Sequence, residues 1–312
     1  MIDGALYNKS QKKLIWGKEG ATIPEGIKII GDYACYEVRN CGINENGIVL
    51  PSTIEEIGDY AFYGNSYSME FSNYESETKF ATPVADKYNY VFTSYELKWG
   101  KNLRKIGAYA FANVVLNPYQ DKHWGIPSTI ILSIPCSVSE IGESCFSGFG
   151  NSDYRKVIIS IPKDSRLRSI PTKAFYNESG LNKPPCSIEC NAPIVTIGDC
   201  AFYGTYVVNF NMQNVKTLGK GAFMETTQSA GITIPAGLKI IPESAFKNAR
   251  TLGHDIVIPN GVEVIEANAL NVNLRKIGYF EDYSLSPIYL PASLTSIAPD
   301  AFRDDAEFIV ER

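Results

Sequence analysis

The sequence predicts an α/β repeat solenoid, and three observations on its residue pattern predict that class. First, an aliphatic anchor recurs along the chain, with a small residue four positions later and an aromatic or apolar residue at the fifth, as in Ile57-Gly58-Asp59-Tyr60-Ala61-Phe62. Second, another aliphatic residue stands three positions before each anchor. Third, many copies follow an apolar-x-apolar-Pro phrase, as in Ile232-Thr233-Ile234-Pro235. Such repetition is typical of a stack of similar coils and not of one closed core.

The anchors define ten copies of the repeat, which we number as coils 1 to 10. The small residue is alanine in every coil except coil 4, which has Cys145, and the next residue is phenylalanine in eight coils. Because each coil packs the same position against its neighbours, constant shapes at fixed offsets predict a buried ladder of side chains. We expect the alanine where two chain segments approach and the phenylalanine inside the coil. The anchors are Ile30, Ile57, Ile106, Ile141, Ile170, Ile197, Leu218, Ile241, Ile265 and Ile297.

Each repeat is predicted to contain one short strand of a parallel sheet and one short helical turn. The apolar-x-apolar-Pro phrase alternates like a strand and ends at a proline, which cannot donate a hydrogen bond to the sheet. After the anchor, glycine followed by an acidic residue suits one turn of α- or 3₁₀-helix. The residue between the two apolar strand positions should point outward. These outward residues, which contain no charge run and no aromatic ladder, are Thr22, Val49, Lys98, Ser133, Ser160, Glu189, Asn209, Thr233, Val257 and Tyr289.

The chain is predicted to form a single domain over residues 1–312, because a solenoid has no fixed upper size and no linker interrupts the sequence. Residues 1–20 are predicted to form a β-hairpin that caps the first coil. Residues 21–303 are predicted to hold about ten to twelve repeats, since stacked units of one kind account for this whole stretch. Residues 304–312 are predicted to form a C-terminal cap.

Two insertions interrupt the spacing of the repeats, near residues 65–96 and 113–131. The first is either a degenerate extra repeat, with Tyr90-Val91-Phe92 as its strand, or a loop used in binding. Insertions on repeat scaffolds map to loops, often on the binding face. Tyrosine and tryptophan dominate binding hot spots, so the aromatic residues in and beside the insertions are the candidate ligand contacts. The alternative is that these aromatic residues pack together as a small local core. The candidate residues are Tyr88, Tyr90, Tyr95, Trp99, Tyr119, His123 and Trp124.

Composition and motifs exclude several classes of function. A formal net charge of −5 without a basic stripe argues against nucleic-acid binding, and no apolar stretch is long enough to span a membrane. The chain has two histidines, and neither lies in a catalytic motif. The cysteines number seven, an odd count, and Cys186, Cys190 and Cys200 have no fourth metal ligand nearby in the sequence. We therefore predict no catalysis, no cofactor and no metal site.

The repeats also resemble a known family. The segment Ile232-Thr-Ile-Pro-Ala-Gly-Leu-Lys-Ile-Ile-Pro-Glu-Ser-Ala-Phe246 is similar to the LxxIxLPxxLxxIgxxAF repeat of BspA-like leucine-rich-repeat proteins, and the resemblance covers roughly residues 20–303. It implies a leucine-rich-repeat right-handed superhelix. It also implies an extracellular or cell-surface location and adhesion to a host or matrix protein, because family members are usually exported bacterial surface proteins. The first residues lack the features of a signal peptide, which fits a trimmed leader as well as a cytosolic protein.

Three hypotheses for the function follow from these observations. The first is a non-catalytic surface module that binds a host, matrix or cell-surface protein. The second is a structural scaffold of a cell-surface assembly. The third is a glycan-binding module, suggested by Trp99, Trp124 and the tyrosine-rich first insertion.

Overall fold

The fold is built from short strands that pair mostly in parallel. The computed structural model describes residues 4–44, 47–48, 50–69, 84–85, 91–92, 94–97, 99–118, 129–150, 156–178, 186–228, 232–252, 256–275, 287–304 and 306–310, which we call the described residues. In chain order the strands are β1 (Ala5–Asn8), β2 (Lys13–Gly17), β3 (Ile29–Ile30), β4 (Ile43–Asn44), β5 (Gly47–Ile48), β6 (Glu56–Ile57), β7 (Ser66–Met69), β8 (Val84–Ala85), β9 (Val91–Phe92), β10 (Ser94–Leu97), β11 (Lys105–Ile106), β12 (Val115–Pro118), β13 (Thr129–Ser133), β14 (Glu140–Ile141), β15 (Lys156–Ile161), β16 (Ser169–Ile170), β17 (Ser187–Cys190), β18 (Thr196–Ile197), β19 (Tyr206–Phe210), β20 (Thr217–Leu218), β21 (Thr227–Gln228), β22 (Ile240–Ile241), β23 (Arg250–Leu252), β24 (Val264–Ile265), β25 (Asn273–Arg275), β26 (Ile288–Leu290), β27 (Ser296–Ile297) and β28 (Phe308–Val310).

Each anchor is the second residue of a two-residue strand, and these anchor strands pair in parallel with those of neighbouring coils, except between coils 4 and 5 and between coils 7 and 8. Ile57 of β6, for example, lies in register with Ile30 on one side and Ile106 on the other. The anchors of coils 1 to 9 are buried in the core, which confirms the predicted ladder. In coil 10, Ile297 is 42% exposed.

Two prolines divide the anchor strands into three separate sheets. In most coils the residue after the anchor donates its backbone N–H to the anchor carbonyl of the preceding coil, as Gly58 does to Ile30 at 2.8 Å. Proline has no N–H to donate, and Pro171 and Pro242 follow the anchors of coils 5 and 8. The sheet order breaks at these two positions, before β16 and before β22.

After each anchor the chain forms consecutive turns, and this differs from the predicted helical or 3₁₀ turn. The third residue after the anchor adopts a left-handed backbone conformation, with φ of 55° at Tyr60, 54° at Tyr109 and 52° at Cys200. Residues at positive φ cannot belong to a right-handed helix. The described residues contain no helix, and therefore none long and apolar enough to cross a membrane.

Backbone hydrogen bonds join the turns of neighbouring coils. The N–H at the phenylalanine position donates to the carbonyl at the alanine position of the next coil, as Phe202 does to Ala222 at 2.8 Å. This bond recurs between all successive coils from 1 to 10, so it also continues across both prolines. Ala201 and Ala222 are fully buried. The predicted close approach of two chain segments at the alanine position is therefore confirmed.

The phenylalanines stack into a continuous ladder inside coils 2 to 8. Ring centroids of successive phenylalanines lie between 5.0 and 5.8 Å apart, with ring planes within 16° of parallel. Coil 1 has Cys35 at this position, and Cys35 forms a buried disulfide with Cys41. The predicted phenylalanine ladder is confirmed, and the disulfide takes its place at the front of the stack.

Coils 2 and 3 stack directly on each other, although the insertion near residues 65–96 separates them in the sequence. Strand β6 pairs with β11, β7 pairs with β12, and the N–H of Tyr60 donates to the carbonyl of Ala108 at 2.9 Å. These bonds leave no place for an extra coil between the two. Val91 and Phe92, predicted as part of an extra repeat strand, form β9, which pairs antiparallel with β8. Tyr90 lies outside the described residues.

Eight further strands, of two to six residues each, form a second parallel sheet along the stack. Its order is β10-β13-β15-β17-β19-β21-β23-β25. Four of the predicted outward residues, Ser133, Ser160, Glu189 and Asn209, lie in register on successive strands. At the front of the stack, β1 and β2 form an antiparallel hairpin, and β2 pairs with β3 of coil 1. Near the other end, β28 pairs in parallel with β26.

Candidate functional site: a surface of stacked tyrosines

Five tyrosines occupy equivalent repeat positions on the turns of coils 1 to 3. The third residue after the anchor is tyrosine in these three coils, and the sixth is tyrosine in coils 1 and 2. Because the turns stack in register, residues at one offset form a column that runs along the stack. The first column contains Tyr33, Tyr60 and Tyr109, and the second contains Tyr36 and Tyr63. We call these five residues the tyrosine surface.

The five rings form one contiguous aromatic patch. In the first column, the ring centroids of Tyr33 and Tyr60 are 5.0 Å apart and those of Tyr60 and Tyr109 are 4.7 Å apart, with planes within 6° of parallel. In the second column, Tyr36 and Tyr63 stack at 5.2 Å. The columns meet inside each coil, where the rings of Tyr33 and Tyr36 and those of Tyr60 and Tyr63 lie 5.6 Å apart. The stacked rings cover each other's faces and leave their edges and hydroxyls for a partner.

The backbone does not require tyrosine at these positions. The first column has φ between 54° and 56°, a conformation that costs a non-glycine residue roughly 1–3 kcal/mol. Bonds between coils hold it, since the N–H of Tyr33 donates to the carbonyl of Asp59 at 2.9 Å. Ser144 and Ser244 occupy the same offset in coils 4 and 8 with the same left-handed conformation. The choice of tyrosine in coils 1 to 3 therefore calls for an explanation other than the turn.

The tyrosine surface is accessible and keeps unused hydrogen-bonding groups. Tyr33 is 53% exposed and Tyr36 is 38% exposed, while the other three side chains are half-buried. The hydroxyl of Tyr63 accepts a hydrogen bond from Asn113 Nδ2 at 3.1 Å. Within the described residues, the hydroxyls in the first column make no hydrogen bond. Partial desolvation raises the pKa of Tyr60, and the neighbouring phenols of Tyr109 and Tyr33 add to the effect.

A second, smaller pair of stacked tyrosines lies on the turns of coils 5 and 6. The rings of Tyr176 and Tyr203 are 4.8 Å apart. The ammonium group of Lys173 lies 5.6 Å from the centroid of the Tyr176 ring, within the range of a cation–π contact. The molecule thus already places a cation against this tyrosine pair.

The Tyr203 phenol is expected to ionise well above the usual range for tyrosine. Burial raises its pKa from 10.0 to about 12, and the carboxylate of Glu225 adds to the shift. Because the folded pKa exceeds the unfolded one, this group's contribution to stability is present below pH 10 and is lost as the pH rises toward about 12. An absorbance titration of phenolate in the wild type and in Tyr203→Phe checks this, because the difference curve isolates one tyrosine. A difference curve with the midpoint of an exposed phenol would contradict it.

Two of the seven ligand contacts predicted from the sequence lie among the described residues. Tyr95 lies on β10, in register with Ile130 of β13. Trp99 packs edge-on against two rings of the phenylalanine ladder, Phe111 at 5.0 Å and Phe146 at 6.4 Å. Its indole Nε1 is buried and has no hydrogen-bond partner among the described residues. The predicted contacts that lie outside the described residues are Tyr88, Tyr90, Tyr119, His123 and Trp124.

The tyrosine surface is absent from the sequence predictions, although a signal for it exists. Tyrosine recurs at one offset from the anchors of coils 1 to 3, but only the turn geometry shows that this offset is exposed. The disulfide between Cys35 and Cys41 is also absent from those predictions. Both features depend on where the turn places neighbouring side chains.

The cysteines considered as metal ligands are mostly buried as thiols. Burial raises the pKa of Cys186 and Cys190 to about 12, so both keep their protons at neutral pH. Cys200 lies at the left-handed position of coil 6 and is half-buried. The part of the chain that the structure describes has no group of three or more histidine, cysteine, aspartate or glutamate side chains that could hold a metal ion.

Stacked parallel strands with one repeated turn define a β-rich repeat protein of the leucine-rich type. The family model for the BspA type leucine rich repeat region matches the chain in six copies, over residues 18–120, 127–182 and 149–275. The chain therefore belongs to the BspA-type leucine-rich repeat family.

Individual solved structures resemble the chain only distantly. A search of the curated proteins finds no match. Among solved structures, the chain is similar to a leucine rich cell surface protein from Faecalibacterium prausnitzii A2-165, with 16% identity, a TM-score of 0.28, and coverage of 99% of this chain and 93% of that one. It is also similar to the pneumococcal vaccine antigen PcpA, with 12% identity, a TM-score of 0.26, and coverage of 98% and 82%. The family assignment rests on the repeats.

Proposed function

We propose that this protein is a non-catalytic repeat module that binds another protein through the tyrosine surface. The observation that carries the proposal is the stacking of five accessible tyrosines, three of them at an offset where serine adopts the same backbone conformation in coils 4 and 8. Tyrosine gives a large contact area at a small cost in conformational entropy and is enriched in binding hot spots. Stacking on neighbouring coils holds these rings in place before a partner arrives, which lowers the cost of binding further.

The ring arrangement favours a protein partner over a glycan. Sugar rings pack on exposed aromatic faces, where the negative charge of the ring quadrupole lies. In the tyrosine surface, neighbouring rings cover most of those faces and leave edges and hydroxyls, which suit the mixed apolar and polar contacts of a protein interface. Trp99, one of the residues behind the glycan hypothesis, packs against Phe111 in the core.

The proposal includes a location at the bacterial cell surface or outside the cell, and adhesion to a host, matrix or cell-surface protein. Family membership supports this location. The buried disulfide between Cys35 and Cys41 supports it independently, because such bonds form and persist in oxidising compartments. A right-handed superhelical path of the coils belongs to the same proposal.

Replacing the first column should weaken binding without unfolding the protein. The test variant is Tyr33→Ser/Tyr60→Ser/Tyr109→Ser, which introduces the residue found at this offset in coils 4 and 8. Purified protein is tested against a panel of matrix proteins and a glycan array, and affinities are measured by biolayer interferometry. For a matrix protein that binds the wild type, we expect the triple variant to lose about 2 kcal/mol or more, the usual threshold for a hot spot.

Two further variants decide where the binding site lies. Tyr176→Ser/Tyr203→Ser removes a stacked tyrosine pair elsewhere on the turns and should leave affinity unchanged. Tyr119→Ala/Trp124→Ala removes the contacts predicted from the second insertion. Loss of affinity in this last variant alone would move the site to the insertion. Binding to glycans alone, or to no member of either panel, would favour the glycan-binding or scaffold hypothesis and overturn the proposal.

A further inference from the structure

We infer that the tyrosine surface recognises a cationic segment of its partner, rich in arginine or lysine. The inference rests on the proposed function and adds the chemistry of the partner to it. It comes from the charges on the turns of coils 1 to 4, from the position of two carboxylates beside the tyrosine columns, and from the contrast with the turns of coils 5 to 8.

The turns that carry and flank the tyrosine surface are acidic. Segments 32–37, 59–64, 108–113 and 143–148 contain four carboxylates and no lysine or arginine. All four carboxylate side chains are exposed. Arg39 lies two residues beyond the first segment. The four acidic residues are Asp32, Glu37, Asp59 and Glu143.

Two of these carboxylates are held beside the first tyrosine column. Oδ1 of Asp32 accepts the backbone N–H of Asp59 at 3.0 Å, and Oδ1 of Asp59 accepts the backbone N–H of Ala108 at 2.8 Å. A carboxylate has a second oxygen and several acceptor sites, so each retains capacity for a partner. Since Asp32 precedes Tyr33 and Asp59 precedes Tyr60, coils 1 and 2 each present a fixed anion next to a phenol.

This arrangement suits guanidinium and ammonium groups. Arginine and lysine form their strongest hydrogen bonds with carboxylates, and both have long apolar stems that pack on aromatic edges. The hydroxyls of Tyr33, Tyr60 and Tyr109, which make no hydrogen bond to the described residues, can accept N–H groups. The pKa of Tyr36 is raised by desolvation and then by the Glu37 carboxylate, so this phenol also stays neutral beside the acids.

The turns of coils 5 to 8 differ from those of coils 1 to 4 because they carry lysines, which contact a tyrosine ring and a carboxylate of the same face. They carry Lys173, Lys220 and Lys247 among their acids. Lys173 already lies over the Tyr176 ring, and Lys220 pairs with Glu243 at 3.0 Å. In coils 1 to 4 the corresponding turn segments contain no such residue. Lys105 on the anchor strand β11 acts on Asp59, but its ammonium group pairs with Glu140 at 2.8 Å. The exposed carboxylates of these turns therefore offer a complementary surface to a cationic partner. A second copy of this chain would oppose like charges, as would a nucleic acid or an anionic membrane.

Binding of short synthetic peptides tests the inference directly. The probe is a labelled peptide of alternating arginine and serine, compared with peptides that carry glutamine or glutamate in place of arginine. Fluorescence anisotropy with the full chain should show the arginine peptide binding at least about tenfold more tightly than the glutamine peptide, a difference of about 1.4 kcal/mol. Its affinity should fall as salt rises, because exposed charges are screened.

A charge-removing variant separates electrostatics from folding. Asp32→Asn/Asp59→Asn keeps a side-chain oxygen that can accept the same backbone N–H groups, and it should weaken binding of the arginine peptide about tenfold while leaving thermal unfolding close to wild type. The triple tyrosine variant should also lose this binding, and Tyr176→Ser/Tyr203→Ser should keep it.

The outcomes for the inference and for the proposed function are distinct. The inference of a cationic partner is overturned if the arginine and glutamine peptides bind with equal affinity, or if the asparagine variant binds the arginine peptide as tightly as the wild type. If a matrix protein still loses binding to the triple tyrosine variant in that case, the proposed function stands alone. If the triple variant keeps its affinity for both peptide and matrix protein, the proposed function fails together with the inference.

Discussion

Replacing Phe202 with alanine is expected to lower the free energy of unfolding by about 3–5 kcal/mol, the range for removing a buried aromatic ring. Phe202 is fully buried and stacks between Phe175 at 5.4 Å and Phe223 at 5.0 Å, and Phe210 packs edge-on at 5.2 Å. The substitution therefore opens a gap in the middle of a ladder whose neighbours cannot close it without moving their own coils. Urea-induced unfolding, followed by circular dichroism, measures the effect.

Two matched variants control this prediction. Tyr289→Ala removes a half-buried aromatic side chain on β26 and should cost far less than Phe202→Ala. Phe202→Leu introduces the residue that coil 9 has at this position, Leu270, and should fall between the two. Equal losses for Phe202→Ala and Tyr289→Ala would mean that the wrong positions have been assigned to the interior.

Introducing leucine at Ala222 is expected to destabilise the protein by roughly 1–3 kcal/mol or more through overpacking. Ala222 is fully buried, and its carbonyl accepts the N–H of Phe202 at 2.8 Å. A larger side chain has to separate the two turns and lengthen this bond. The change should appear as a lower midpoint of thermal unfolding.

A leucine two residues away distinguishes overpacking from a general effect of the substitution. Met224 lies on the same turn, is half-buried, and has nearly the volume of leucine. Met224→Leu should therefore leave the unfolding midpoint almost unchanged. A wild-type midpoint for Ala222→Leu would show that the alanine position is not a point of close approach.

The sequence predicts the parts of this fold that depend on packing against a similar neighbour. The anchors, the alanine position and the phenylalanine ladder recur because any other shape would disturb two adjacent coils. The turn was less predictable, since a glycine and an acidic residue after the anchor suit a helical turn equally well in local terms. What selects the left-handed turn is a bond between coils, such as Tyr60 N–H to the carbonyl of Ala108, and residues in different coils are far apart in sequence.

The candidate site could not be predicted from the sequence for the same reason. The offset shared by Tyr33, Tyr60 and Tyr109 can be read from the sequence, but a helical turn and a left-handed turn direct that offset differently. The disulfide likewise depends on a coil that brings Cys41 to the interior beside Cys35, where the other coils have a phenylalanine. Local residue types identify the ladder positions, whereas the exposed surface follows from the stacked geometry.

The two prolines that interrupt the anchor strands have a consequence for how the stack comes apart. The stability of a repeat array is approximately a sum of terms within units and between neighbours. At Pro171 and Pro242 the interface lacks the anchor-strand bond, while the turn bonds from Phe146 to Ala174 and from Phe223 to Ala245 continue. The anchor strands of coils 1–4, 5–7 and 8–10 thus form three separate sheets, while the second sheet joins the coils across both positions through β13–β15 and β19–β21. Under heat or pulling force we expect the anchor side of the stack to open first at these two positions, and amide exchange should show lower protection of the anchor strands there than within each anchor sheet.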